Sequence, residues 1–100
     1  MTLNALAAEI HATAVQKGWH DRPRPIPEHL ALIHSEVSEA LEEYRKPGDI
    51  DEYRIGQELA DIIIRTLDLA SVMSIDMDVI LLEKMAYNKT RTYRHGGKRC

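Results

Sequence analysis

The sequence has no phenylalanine, one tryptophan and one cysteine, and that cysteine is the last residue. A lone Cys100 excludes an internal disulfide and fits a reducing compartment. Aromatics make up 5% and apolar residues 44%, so the core has to be aliphatic. No apolar run is long enough to span a bilayer. Met1-Thr2-Leu3-Asn4 offers no charged segment followed by an apolar one, which argues against a signal peptide. The expectation is a soluble, cytoplasmic protein with no membrane partner. No alternating strand pattern, internal repeat or low-complexity segment is present. There is also no Ser-His-Asp arrangement, glycine-rich phosphate loop, His-Glu-x-x-His or Cys/His zinc spacing. His11, His20, His29 and His95 show no metal spacing, and His34 reads as packed or exposed.

What is present is one short domain with uneven charge. One hundred residues bury a limited core, which makes oligomerisation a natural aid to stability. The net charge is only −3, yet no acid follows Glu83, whereas Lys84, Lys89, Arg91, Arg94, Lys98 and Arg99 do. The expected division is a helical domain over 1–91 and a basic, flexible tail over 92–100.

Hydrophobic periodicity predicts an all-α fold of four helices. Thr2 caps the first, whose apolar face is Leu3, Leu6, Ala7, Ile10, Ala14 and Val15, and Gly18 ends it. Pro23, Pro25 and Pro27 make Trp19 to Pro27 a loop. The second helix starts near Pro27, with Glu28 at its positive dipole end, and closes at Lys46-Pro47-Gly48. Its expected buried stripe is Leu30, Ile33, Val37, Leu41 and Tyr44, flanked by Leu32, Glu36, Glu39 and Glu43. Asp49 and Glu52 read as a capping box for the third helix, with Gly56 delaying its regular part to about Gln57. Its expected buried face is Leu59, Ile62, Ile63, Thr66, Ala70 and Met73, and its acidic flank Glu58, Asp61 and Asp68 with Arg65 among them. Ile64, Leu67 and Leu69 lie outside that stripe. A helix apolar on more than one side is buried on more than one side, which points to a partner subunit. Asp76 caps the fourth helix, with Ile75 and Ile80 placed as a staple, and the helix runs to about Asn88.

Two acidic pairs organise the chain: Glu36-Val37-Ser38-Glu39 and Glu58-Leu59-Ala60-Asp61. Each pair is spaced i, i+3, so both carboxylates share a helix face and repel by a few tenths of a kcal/mol, as an order of magnitude. One such pair is ordinary solvated surface. Two in successive helices beside the core point to a site completed by a cation. All-oxygen donors favour Mg²⁺, with Mn²⁺ as the alternative; di-iron bundles use Glu-x-x-His, and here the i+3 positions are Glu39 and Asp61. If the two helices pack antiparallel, a common cleft requires a symmetric neighbour or a helpful crossing angle.

Lys84, Asn88 and Arg91 are spaced i, i+4, i+7 and offer two cations and an amide on one face. Beside metal-binding acids, that face suits a polyphosphate. Otherwise it is a solvated basic helix end, which the helix dipole favours. Trp19 either stacks on a base or covers the bundle end. Arg65, one turn after Asp61, makes either an intrahelical ion pair or a phosphate contact. The tail has too few interleaved aromatics to favour nucleic acid.

Glu-x-x-Glu followed by Glu-x-x-Asp resembles the signature of the MazG-like all-α nucleoside triphosphate pyrophosphohydrolases. The likeness runs from about Trp19 to Arg94. The stretches Glu58-Leu59-Ala60-Asp61-Ile62-Ile63-Ile64-Arg65 and Lys84-Met85-Ala86-Tyr87-Asn88-Lys89-Thr90-Arg91 look like the small single-domain members, several of them encoded by phages. The resemblance implies a MazG-like four-helix bundle completed by homo-oligomerisation, as a homodimer or homotetramer. It implies Mg²⁺-dependent hydrolysis of a (d)NTP to (d)NMP and pyrophosphate, in nucleotide-pool house-cleaning. Glu36, Glu39, Glu58 and Asp61 would hold the metal. Glu36 or Glu39 would take the proton from the attacking water, and Lys84, Asn88 and Arg91 would hold phosphates. Trp19 is a candidate for the base. The reading from another class is a non-enzymatic helical oligomer whose basic C-terminal segment binds nucleic acid or a protein partner.

Overall fold

The computed structural model describes residues 1–93 and residue 99. His95, Gly96, Gly97 and Lys98 of the expected tail lie outside the described residues. Among those described there are four helices and no strand: α1 (Leu3–Gln16), α2 (Ile26–Arg45), α3 (Glu52–Val72) and α4 (Met77–Thr90). The all-α expectation holds. None of these helices is long and apolar enough to cross a membrane.

Local chemistry sets the helix ends. Thr2 Oγ1 accepts from the Ala5 N–H at 3.0 Å, satisfying a donor that the first turn leaves open. α1 closes through Gly18, which sits at φ +84°. A side chain there would be strained, and its Cβ would lie 2.9 Å from Asp21 Oδ2. That turn lets the Trp19 N–H bond the Ala14 carbonyl at 3.0 Å, folding Trp19 and His20 back along α1.

α2 begins at Ile26, with Pro27 in its first turn. The cap of α3 is Asp51, whose carboxylate accepts from the Arg54 N–H at 3.1 Å, and not Asp49. Gly56 lies inside a continuous helix and does not delay it, because the apolar positions after it propagate a helix already nucleated at Glu52.

The starts of α1 and α4 cap each other. Asp78 accepts from the Leu3 and Asn4 N–H groups. Asn4 Oδ1 accepts from the Met77 and Asp78 N–H groups, and Asn4 Nδ2 donates to Asp76 Oδ1 at 2.7 Å. Those bonds, Asn4 first and the Val79 N–H next, hold the Asp76 carboxyl below its ordinary pKa. This polar joint anchors α4; the staple residue Ile80 is half exposed.

α3 is the central element, with α1 and α2 packed against it and α4 set against α1. Among the described residues the buried apolar side chains are Ala7, Ala14, Leu67, Leu69 and Ala70. In α2 the periodicity reading holds only for Ile33, which is partly buried. His29 and Glu36 are buried, Leu32, Ala40 and Glu43 partly so, while Leu30, Val37, Leu41 and Tyr44 stand about half exposed. α3 meets the chain through Ile55, Glu58, Ile62, Arg65 and Leu69, and leaves Leu59, Ile63 and Met73 outward. Of the expected stripe of α3, Ile62 and Thr66 are partly buried and Ala70 is buried, while of the acid-bearing flanks Glu36, Glu58 and Asp68 turn inward and Glu39 and Asp61 stay exposed. Leu67 and Leu69, read as surplus, are the actual core. The radius of gyration is 16.3 Å, against about 13 Å for a compact domain of this length. A chain with this much outward apolar surface has not closed its own core.

Candidate metal and nucleotide site

Glu36 projects from α2, and Glu58 and Asp61 from α3, so that one carboxylate oxygen of each lies within 4.8 Å of the others. The common cleft therefore forms inside one chain, with no symmetric neighbour needed. Arg65 is one helical turn beyond Asp61, and its Nε donates to Glu36 Oε1 at 2.6 Å. Arg65 thus ties α3 to α2 instead of pairing along its own helix. Glu36 is 7% exposed, so its carboxylate is held by that arginine and not by water.

Glu39 lies one turn further along α2, exposed and close enough to Glu58 to share a proton with it. Glu58 is the strained member. Burial first, then the charges of Glu39, Asp61 and Glu36, and last the bond to Glu39 push its carboxyl above the ordinary pKa. Its Oε2 is buried without a donor. Four carboxylates share one arginine, and a free acceptor atom points among them. Such a group is relaxed either by a proton or by a cation. The donors are hard oxygens in close array, which fits Mg²⁺ or Mn²⁺.

Asp68 does not belong with this group. It is 8% exposed and faces α1 and the loop before α2: His11 Nδ1 lies 2.7 Å from its Oδ1, and His20 Nε2 lies 2.9 Å from its Oδ2. The absence of metal spacing among the histidines was therefore misleading, since His11 and His20 converge in space. One signal was available. Ala7, His11 and Ala14 are spaced i, i+4, i+7, which places a histidine on the buried face of α1.

Beside the acidic group lies a cavity of about 210 Å³, lined by Trp19, Arg24, Glu28, Leu32 and Arg65. It is smaller than the roughly 300–1,000 Å³ of a drug-sized site, so it suits part of a ligand. The Arg65 guanidinium sits 5.3 Å from the Trp19 ring centroid, and Arg65 in turn touches Glu36. Arg24 Nε is buried with no acceptor, which marks a place for an acceptor on a ligand. Trp19 also borders a second, apolar cleft with Ile10, Ala14 and Ile64, so it covers the α1 end as well.

Of the expected basic face, Lys84 and Asn88 lie on α4 and Arg91 is its C-cap. Lys84, Asn88 and Arg91 are exposed. Lys84 Nζ and the Arg91 guanidinium lie 5.0 and 5.9 Å from the Tyr87 ring centroid. No ion pair joins Lys84 or Arg91 to Glu36, Glu39, Glu58 or Asp61 among the described residues. Compared with protein-family models, curated proteins and solved structures, the chain shows no match.

Proposed function

We propose that this chain is a Mg²⁺-dependent nucleoside triphosphate pyrophosphohydrolase of the MazG-like kind, acting as a homodimer or homotetramer. The observation that carries the reading is the convergence of Glu36, Glu58 and Asp61 from two helices, with Glu58 unsatisfied among them. Glu36, Glu39, Glu58 and Asp61 would hold the ion. Once bound, Mg²⁺ would supply neutralisation of the triphosphate charge and activation of water.

The chain's own residues divide the remaining work. Glu36 is occupied by Arg65 and is a poor base; Glu39, exposed and hydrogen-bonded only within the acidic group, takes the proton. Trp19 offers a ring face to a nucleobase, and Arg24 Nε offers a donor inside the same cavity. Lys84, Asn88 and Arg91 supply the cations and amide that hold departing phosphates. Among the described residues the α4 cations make no ion pair with the acidic group of their own chain, and in this reading they serve the acidic group of a neighbouring chain. The outward apolar residues of α2, α3 and α4, such as Val37, Leu41, Ile63 and Leu82, supply the surface for that neighbour.

The test is incubation with a panel of dNTPs and Mg²⁺, followed by product analysis. The expected products are the monophosphate and pyrophosphate, lost in Asp61→Ala. Orthophosphate release would mean that a different bond is cut. No turnover, together with salt-sensitive binding of nucleic acid, would replace the enzyme by a helical oligomer acting through its basic segment.

A further inference from the structure

The buried Asp68 and the two histidines that meet on it form a second group with donor chemistry unlike the first. Three segments distant in sequence contribute: His11 from α1, His20 from the loop after it, and Asp68 from α3. One donor atom of each lies within 4.8 Å of the others. The side chains are 33%, 17% and 11% exposed, so the group opens to solvent mainly at His11. The His11 and His20 rings are 4.7 Å apart, and the buried His29 stacks behind His20 at 6.0 Å.

No lysine or arginine pairs with Asp68 among the described residues. The groups that face its nearly buried carboxylate are the two imidazoles, whose ring nitrogens are themselves metal donors. A buried anion of this kind calls for a cation. We infer that His11 Nδ1, His20 Nε2 and an Asp68 carboxylate oxygen bind a divalent transition-metal ion of the zinc class, and that the ion pins the Trp19 loop to α3. Imidazole donors select such ions over Mg²⁺, and two histidines with a carboxylate are a recurrent donor set.

The geometry is close to what this requires. Zinc bonds of about 2.0–2.2 Å place neighbouring ligand atoms roughly 3.3–3.6 Å apart across a tetrahedron. The present His–Asp separations of 2.7 and 2.9 Å are hydrogen-bond distances, so a shift of about 0.5 Å admits the ion. Each ring would then carry its proton on the far nitrogen, Nε2 of His11 and Nδ1 of His20. A metal cross-link also suits a short chain with so few buried apolar side chains.

The experiment titrates the full chain with Zn²⁺, and separately with Co²⁺, in excess Mg²⁺ that occupies the acidic group. Calorimetry is expected to give one Zn²⁺ per chain. Co²⁺ is expected to quench the single tryptophan, Trp19, the neighbour of His20. In wild-type protein, the imidazole nitrogen resonances of His11 and His20 should move on zinc addition and those of the exposed His34 should not, a readout independent of whether any variant folds. His20→Gln should weaken zinc binding at least tenfold, whereas Glu58→Gln should leave it unchanged. Absence of saturable binding in Mg²⁺, or binding equally tight in His20→Gln, or immobile His11 and His20 resonances, would each reduce the group to a hydrogen-bonded staple and overturn the inference.

Discussion

The molecule holds two clusters of ionisable side chains that solve opposite problems. In the His11–His20–Asp68 group every member faces a complementary partner, and Asp68 accepts on both oxygens. In the Glu36–Glu39–Glu58–Asp61 group like charges face each other, with Arg65 as the single counter-charge and Glu58 Oε2 left without a donor. The first is hydrogen-bonded without an ion, and the proposed zinc-class ion would exchange those hydrogen bonds for metal bonds. The second costs stability as it stands, which is what supports reading it as a site kept for binding and not for packing. Both draw on α3: Asp61 and Asp68 are two turns apart on it, and the Arg65 guanidinium lies against Trp19, the neighbour of His20.

Substitutions should separate the two groups. The largest effect belongs to Glu39→Gln, which should lower kcat for pyrophosphate release by about 10²–10⁴-fold while leaving the circular dichroism spectrum unchanged. Equal activity in that variant would remove Glu39 from the reaction. Under the proposal that α4 serves a neighbouring chain, mixing Glu39→Gln chains with Arg91→Ala chains should restore part of the activity that each lacks. If the mixture stays inactive, the acids and the basic face act within one chain.

Asp68→Ala should act on stability, lowering the unfolding free energy by about 3 kcal/mol in a urea titration, since two partly buried imidazoles lose the buried carboxylate they share. A change below 0.5 kcal/mol would mean that water satisfies the histidines. Gly18→Ala should cost about 1–2 kcal/mol, from its positive φ, and should alter Trp19 emission by displacing the loop.

The smallest effect is a difference in pH dependence. Glu58 binds its proton more tightly in the folded state, so its contribution to stability is fully present below the ordinary carboxylate pKa. That contribution is lost as the pH rises through the raised value. Glu58→Gln should therefore have a higher urea midpoint than wild type in metal-free buffer at neutral pH, a gap that closes in acid. Wild type plus Mg²⁺ should close it from the other side. A wild-type midpoint above that of Glu58→Gln at neutral pH without metal would contradict the reading of this group as strained.

The acidic pairs were legible because each is local: i, i+3 on one helix places two carboxylates together whatever the rest of the chain does. Helix caps at Thr2 and Asp76 were legible for the same reason. The cap of α3 was misplaced by two residues because Asp49 and Asp51 offer the same chemistry, and only backbone geometry chooses between them. The buried face of α2 was misread because periodicity assigns the apolar stripe to the chain's own interior. In the folded chain only Ile33 of that stripe is partly buried, Leu30, Val37, Leu41 and Tyr44 are exposed, and the face with His29 and Glu36 is turned inward.

Sequence alone determined the four helices, the loop that proline imposes, and the repulsion within each acidic pair, since all of these arise between residues a turn or two apart. Tertiary structure decided which helix faces meet, that Arg65 reaches across to Glu36, and that residues as distant as His11 and Asp68 share a hydrogen bond. The physical reason is that a helix presents all its faces at once. Which one is buried depends on the free energy of the whole packing arrangement, and no single stretch of chain contains it.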